Sequence, residues 1–192
     1  LSVGNGMYKT TDGGKTWKHL GLEDGQQIGR IDIDPKNENR VFAAVLGHPY
    51  GPNEVRGVYR TLDGGTTWDR VLYMDENTGA IQVLIDPQDP NTVYASMWQA
   101  RQGPWENAAW QGPNSGLYKS TDGGNTWKKL TKGLPTYEQG LGRIGISVAP
   151  SDNKRLYASV NAPDVGGIFR SDDAGESWYL INNDPRPWGR GD

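Results

Sequence analysis

Apolar and polar positions along this chain fall into short runs of strand length that recur in a fixed order. In 28–45 (IGRIDIDPKNENRVFAAV), Ile31 and Ile33 alternate with polar neighbours, a polar turn follows beside Pro35, and Val41 opens a second apolar run. The same succession returns in 79–97 (GAIQVLIDPQDPNTVYASM) and in 142–160 (GRIGISVAPSDNKRLYASV). Alternation or short apolar runs bounded by turn residues read as half-buried strands. A third run follows each pair (GVYRT, GLYKS, GIFRS), and a fourth starts at a tryptophan (TWDRVLY, TWKKL, SWYLI). The pattern predicts units of four antiparallel strands, A to D in chain order.

The turn between strands C and D is a repeated motif: TTDGGKTW (10–17), TLDGGTTW (61–68), STDGGNTW (120–127) and SDDAGESW (171–178). Its aspartates, Asp12, Asp63, Asp122 and Asp173, are spaced by 51, 59 and 51 residues. Near-constant spacing of one turn signature between strand pairs indicates stacked, repeated sheets. Four-stranded antiparallel units repeated this way are the blades of a β-propeller. The expected chemistry of the motif is structural. The aspartate accepts backbone N–H groups of its own turn, Gly14, Gly65, Gly124 and Gly175 supply the positive φ that tight hairpins need, and Ser/Thr hydroxyls tie down remaining donors. Trp17, Trp68, Trp127 and Trp178 are large enough to fill the gap between neighbouring twisted sheets. Removing one of these aspartates is expected to cost stability rather than a chemical step.

The repeat divides the chain into the C-terminal half of a blade (1–27), a blade (28–78), a blade with a long B–C insertion (79–141), a blade (142–182) and a connection to a next blade (183–192). The expected fold is therefore all-β, about three and a half blades of a larger propeller. Its first partner is the rest of a longer propeller chain, since an open set of blades leaves sheet edges uncovered. The alternative is a half propeller that closes by pairing with another copy.

Composition narrows the function classes. Only 34% of the 192 residues are hydrophobic, and 27 Gly and 12 Pro suit a fold with several tight turns per blade. The net charge of −3, with basic residues scattered, argues against nucleic acid. No apolar stretch has membrane-spanning length. The absence of Cys excludes disulfides and thiolate metal sites, and His19 and His48 have no obvious metal-binding companions, so neither metal nor cofactor is expected. TDGGKT lacks the first glycine of a Walker A loop, and Arg190-Gly191-Asp192 is too short a match to weigh.

The motif resembles the Asp box, or bacterial neuraminidase repeat, found in sialidases, two-propeller xyloglucanases, photosystem II assembly factors and sortilin-type receptors. The wider pattern, GHPYGPNEVRGVYRTLDGGTTW, YMDENTGAIQVLIDPQDPNTVYASMWQ and the closing WGRGD, resembles large bacterial sortilin-like or "glycosyl hydrolase" Asp-box proteins. The resemblance covers essentially the whole chain. It implies a propeller that is secreted, periplasmic or on the cell surface, and it speaks weakly to activity, because Asp boxes sit away from the active sites of the enzymes that have them.

Topology sorts the remaining residues by face. A–B and C–D turns share one end of an up-and-down blade, and the B–C and D–A loops share the other. That second end receives 46–56, 98–115 and 161–166, and long variable loops on a rigid scaffold are where binding is expected. The tryptophans outside the boxes, Trp98, Trp105, Trp110 and Trp188, all fall there, near His48, Tyr50 and Arg101. They suit stacking on sugar rings or anchoring a peptide. Equally, Trp98 can pack inward while Trp105 and Trp110 pin a long loop. Arg30 and Arg143, both at the start of a strand A, are expected to hold equivalent places at the channel mouth, where they hold a carboxylate or pair with acidic D–A loops. Asp75 or Glu76 with Glu138 is the candidate acid–base pair for glycoside hydrolysis, which needs two carboxylates roughly 5–10 Å apart. The leading expectation is a non-catalytic extracellular scaffold that binds a protein, peptide or glycan through the loop face. The alternatives are a glycoside hydrolase using carboxylates on that face and a structural subunit of a cell-surface assembly.

Overall fold

The computed structural model describes residues 4–103 and 110–186, and these residues form fourteen β-strands. A two-stranded sheet, β1 (Tyr8–Lys9) and β2 (Lys18–His19), comes first. The first four-stranded sheet follows, with β3 (Ile28–Asp34), β4 (Asn37–Val45), β5 (Gly57–Thr61) and β6 (Asp69–Leu72). The second holds β7 (Thr78–Ile85), β8 (Val93–Gln99), β9 (Gly116–Ser120) and β10 (Lys128–Leu130). The third holds β11 (Ile144–Val148), β12 (Leu156–Val160), β13 (Gly167–Ser171) and β14 (Tyr179–Asn182). Each four-stranded sheet runs antiparallel in simple chain order. The fold is all-β, a segment of a β-propeller.

The sheets stack through two apolar layers. Phe42, Ala44 and Val58 of the first sheet meet Val83, Val93, Ala95 and Met97 of the second. Tyr94 and Leu117 of the second meet Ile144, Ile146, Leu156 and Phe169 of the third. Full burial of the Val, Leu, Ile, Phe or Met side chains among them is worth about 1.5–3 kcal/mol each. Polar bridges set the register between sheets. The Gln82 side chain donates to the Ile146 carbonyl and accepts the Ile146 N–H, both at 2.8 Å, so it imitates a ladder between inner strands. Asp32 accepts the Ile85 N–H at 2.6 Å, and Ser96 donates to the Ile144 carbonyl at 2.6 Å.

Each Asp box forms the same network. In the second, Thr61 Oγ1 donates to Asp63 Oδ1 (2.7 Å) and accepts the Gly65 N–H (2.9 Å), while Asp63 also accepts the Thr67 N–H (2.9 Å) and hydroxyl (2.8 Å). The same bonds link Thr10, Asp12, Gly14 and Thr16, then Ser120, Asp122, Gly124 and Thr126, then Ser171, Asp173, Gly175 and Ser177. These bonds hold Asp12 and Asp173 down to about 2 and depress Asp63 and Asp122 as well. In the three full sheets the box is also fastened to the A–B hairpin, with Gly64, Gly123 and Ala174 N–H donating to the carbonyls of Asn39, at the start of β4, and of Asn91 and Lys154 in the turns.

The box tryptophans differ in burial. Trp178 is 4% exposed beside the second sheet's Leu130 and Tyr94, Trp68 is half-buried with its indole N–H on the Leu20 carbonyl, and Trp127 is half-buried. Trp17 is 60% exposed, so gap filling is not uniform across the four boxes. The box carboxylates are also surface groups. The buried donor in each full-sheet box is the glycine N–H that the leading Ser or Thr accepts.

Candidate functional site

The loops opposite the boxes are stitched to one another. Gln102 N–H donates to the Pro49 carbonyl (2.7 Å), Asn53 N–H to the Glu76 carbonyl (2.8 Å), and Asn114 Nδ2 to Asp75 Oδ2 (2.8 Å). Thus B–C loops of successive sheets bond to each other and to a D–A loop. Arg56, fully buried, donates through Nη2 to the carbonyls of His48 and Gly51 and so sets the course of 46–56. Its Nε and Nη1 have no hydrogen-bond partner among the described residues.

These loops and the starts of the inner strands enclose a groove of about 430 Å³ lined by Gln27, Ile28, Gly29, Leu46, Pro49, Ile81, Trp98, Ala100, Gln102, Trp110 and Arg143. Trp98 and Trp110 stack with ring centroids 5.8 Å apart and planes 26° from parallel. The Trp98 indole N–H donates to the Trp110 carbonyl at 2.7 Å, which locks the pair. Arg143 lies over the Trp98 ring, its Cζ 5.9 Å from the centroid. Trp110 remains 46% exposed. The wall is thus aromatic and aliphatic, with amides and a guanidinium at its edges. Such a wall suits a ligand with apolar ring faces and hydroxyl-bearing rims, and its volume falls within the roughly 300–1,000 Å³ of small-ligand sites.

A second cavity of about 250 Å³ adjoins it, lined by Gly29, Arg30, Ile81, Gln82, Arg143, Ile144 and Gly145. Arg30 and Arg143 share this cavity without being equivalent. Ile28, Ala80 and Ile144 each pair with the same position of strand B, at Val45, Met97 and Val160. Bulges then insert Gly29 and Ile81 into β3 and β7, while β11 has none. Arg30 therefore matches Gln82 and Gly145, and Arg143 matches Gln27 and Gly79. The expected equivalence of the two arginines is corrected by that extra residue. Glycine suits the first bulge, because a Cβ there would sit 2.5 Å from the Ile81 carbonyl oxygen.

The candidate residues divide in space. Trp98, Trp110 and Arg143 line the groove, and Arg30 lines its neighbour. His48 is half-buried and Tyr50 is 55% exposed, and Pro49 between them is the lining residue. Arg101 is half-buried and electrostatically coupled to Arg56. Trp105 and Trp188 lie outside the described residues. Asp75 accepts Asn77 N–H (2.7 Å), Thr78 Oγ1 (3.1 Å) and Asn114 Nδ2, and these bonds outweigh partial burial and lower its pKa. Glu76 is exposed. Glu138 sits exposed in a short 3-10 turn, Tyr137–Gln139, its pKa lowered by its own backbone N–H and the Thr136 hydroxyl. None of these three acids lines either cavity. Gln27 and Gln102 escaped sequence reasoning. Alignment by strand register would have found Gln27, because it holds Arg143's place in the first sheet. Among the described residues, no group of three or more His, Asp or Glu is placed to hold a metal ion.

Comparison with known proteins bears on this site. Residues 5–163 match the Sortilin-Vps10 family (sortilin, neurotensin receptor 3). Over 150 residues the chain is 32% identical to the xyloglucanase Xgh74A of Acetivibrio thermocellus, covering 72% of this chain and 16% of that protein. Among solved structures, an ancestral GH74 enzyme superposes with a TM-score of 0.73 at 20% identity, over 97% of this chain and 23% of the other. The GH74 xyloglucanase of Xanthomonas campestris gives a TM-score of 0.68 at 18% identity, over 96% and 28%. At those identities the structural likenesses speak to the fold alone. The chain spans about a sixth of the length of the Acetivibrio relative (16%).

Proposed function

The chain belongs to the Sortilin-Vps10 family, and on that footing we propose that it is a glycan-binding segment of an extracellular glycoside hydrolase, its aromatic groove forming a saccharide subsite. The observation behind this reading is the locked Trp98–Trp110 pair with Arg143 at its edge. Stacked indoles offer flat apolar area to the C–H faces of a pyranose. Arg143 and the amides of Gln27 and Gln102 supply hydrogen bonds to ring hydroxyls. The xyloglucanase relative shifts the weight from the non-catalytic scaffold to the hydrolase, and makes xyloglucan the first glycan to test.

In this reading, Asp75 and Glu138 position loops rather than transfer protons. A general acid needs a raised pKa, whereas both of these carboxyls are lowered, and neither lines the groove where an ionised base or nucleophile would have to sit. Asp32 is raised by burial, but its Oδ2 already accepts the Ile85 N–H. Bond cleavage is thus assigned to carboxylates elsewhere in the protein. The test is reducing-sugar release from xyloglucan and binding of its oligosaccharides by the full-length protein, with Trp98→Ala, Asp75→Asn and Glu138→Gln variants. Trp98→Ala should raise KM or Kd about tenfold or more. Asp75→Asn and Glu138→Gln should each lower kcat by less than about tenfold, far short of losing an acid–base catalyst. A folded Asp75→Asn or Glu138→Gln variant with kcat down a thousandfold would return the acid–base role to that residue.

A further inference from the structure

The groove and the cavity beside it share Gly29, Ile81 and Arg143, so they form one continuous recess. Its lining contains two guanidinium groups and, among the described residues, no carboxylate. In a chain of net charge −3 this is an unusual local excess of positive charge. Four other arginines are neutralised by acids, Arg40 by Asp34, Arg155 and Arg170 by Asp172, and Arg186 by Asp184, while Arg56, Arg60 and Arg70 donate to backbone carbonyls. Neither Arg30 nor Arg143 forms an ion pair among the described residues. Asp32 feels the charge of Arg30, but one oxygen of Asp32 is engaged by the Ile85 N–H. Gly145, in Arg30's place in the third sheet, has no side chain to fill the recess, so the wall opposite stays open.

We propose that the recess binds a glycan bearing carboxylates, with a sugar ring on the tryptophan pair and an adjacent uronate held by Arg30 and Arg143. This rests on the saccharide reading of the groove and adds a charge class to it. Guanidinium is the matched partner for a carboxylate, because its planar N–H fork donates two parallel hydrogen bonds. A carboxylate at the boundary of the two cavities meets Arg143, which then bridges the stacked ring and the acid. Arg30 meets the same charge from the first sheet. A glycan is favoured over an acidic peptide because the wall beside the arginines is a flat indole pair with amide-lined edges, a surface for a ring rather than an extended backbone.

The experiment is titration of the full-length protein with tetragalacturonate and with its methyl ester, which keeps the rings and removes the charge. At low ionic strength the acid should bind about tenfold tighter than the ester, and added salt should erode the difference. In Arg30→Gln the acid-to-ester ratio should collapse to within about twofold. Arg143→Lys, which keeps the charge without the planar fork, should retain only part of the ratio. Equal affinity for acid and ester in the unaltered protein, or a ratio unchanged in Arg30→Gln, overturns the inference. A tetraglutamate peptide binding as tightly as tetragalacturonate also overturns it. Trp98→Ala separates the two levels of the argument. Acid and ester bound equally, and both weakened by Trp98→Ala, leave the groove as a neutral-sugar subsite. Binding indifferent to Trp98→Ala removes the subsite itself.

Discussion

The two ends of these sheets are built from the same strands and treat their polar groups in opposite ways. At the box end, the acceptors are saturated within the turn itself: Asp63 takes two backbone N–H groups and the hydroxyls of Thr61 and Thr67. At the loop end, Arg30 and Arg143 form no ion pair among the described residues, and Trp110 stays 46% exposed beside its stacked partner. A saturated network has no capacity left for a ligand and can be copied into every blade. An unsaturated one is useful only if a ligand completes it, and it differs from blade to blade. Repetition in this protein marks what folds it, and departure from repetition marks where binding is proposed.

The contrast can be broken from the box end first. Phe42 is fully buried and packs on Gly124 of the next box, so Phe42→Ala should cost about 3–5 kcal/mol, measured by denaturant unfolding. Next, Ser120→Ala leaves the buried Gly124 N–H without its acceptor and should cost about 1–3 kcal/mol in the same assay. At the loop end, Trp110→Ala should lower affinity for xyloglucan oligosaccharides about tenfold, with the unfolding midpoint nearly unchanged because the side chain is half exposed. A smaller effect separates two boxes. Gly123 sits at φ 70, whereas the matching residue in the fourth box is Ala174 at φ 58. Ala174→Gly should therefore stabilise by about 0.5–1 kcal/mol, while Gly123→Ala destabilises.

Acid gives the most graded test. The box carboxyls have folded-state pKa values below the ordinary ~3.9 of an unfolded aspartate, with Asp12 and Asp173 at about 2. Their contribution is therefore present above the unfolded pKa and is lost progressively as pH falls through about 4 toward 2 and below. A thermal-unfolding midpoint that is flat from pH 6 to about 4 and then declines fits this, and a decline beginning near neutrality does not.

How much was readable in the residues follows from the same division. The boxes were legible because each aspartate, glycine and hydroxyl acts within eight residues of chain, so local sequence contains the whole interaction. The four-strand order was legible from alternation and turn spacing. The loop end was legible only as far as topology reaches, which was enough to put Trp98 and Trp110 on one face but not to stack them. The mismatch of Arg30 and Arg143 was hidden because a bulge adds one residue without changing composition. The burial of Arg56 was hidden too, since its carbonyl partners, His48 and Gly51, are set by the path of a loop. In the sequence Asp75 is one candidate for an acid–base pair. Its partners Asn77 and Thr78 are local, but Asn114 comes from the next sheet's long loop.

The most direct test of the account is calorimetric titration of xyloglucan oligosaccharides into the full-length protein, its Trp98→Ala variant and its Ser120→Ala variant, well below their unfolding temperatures. Trp98→Ala should lose affinity about tenfold or more, and Ser120→Ala should keep unaltered affinity despite its lower unfolding midpoint. Normal affinity in a folded Trp98→Ala protein, or equal losses in both variants, would contradict the division of labour between the two ends of the sheets.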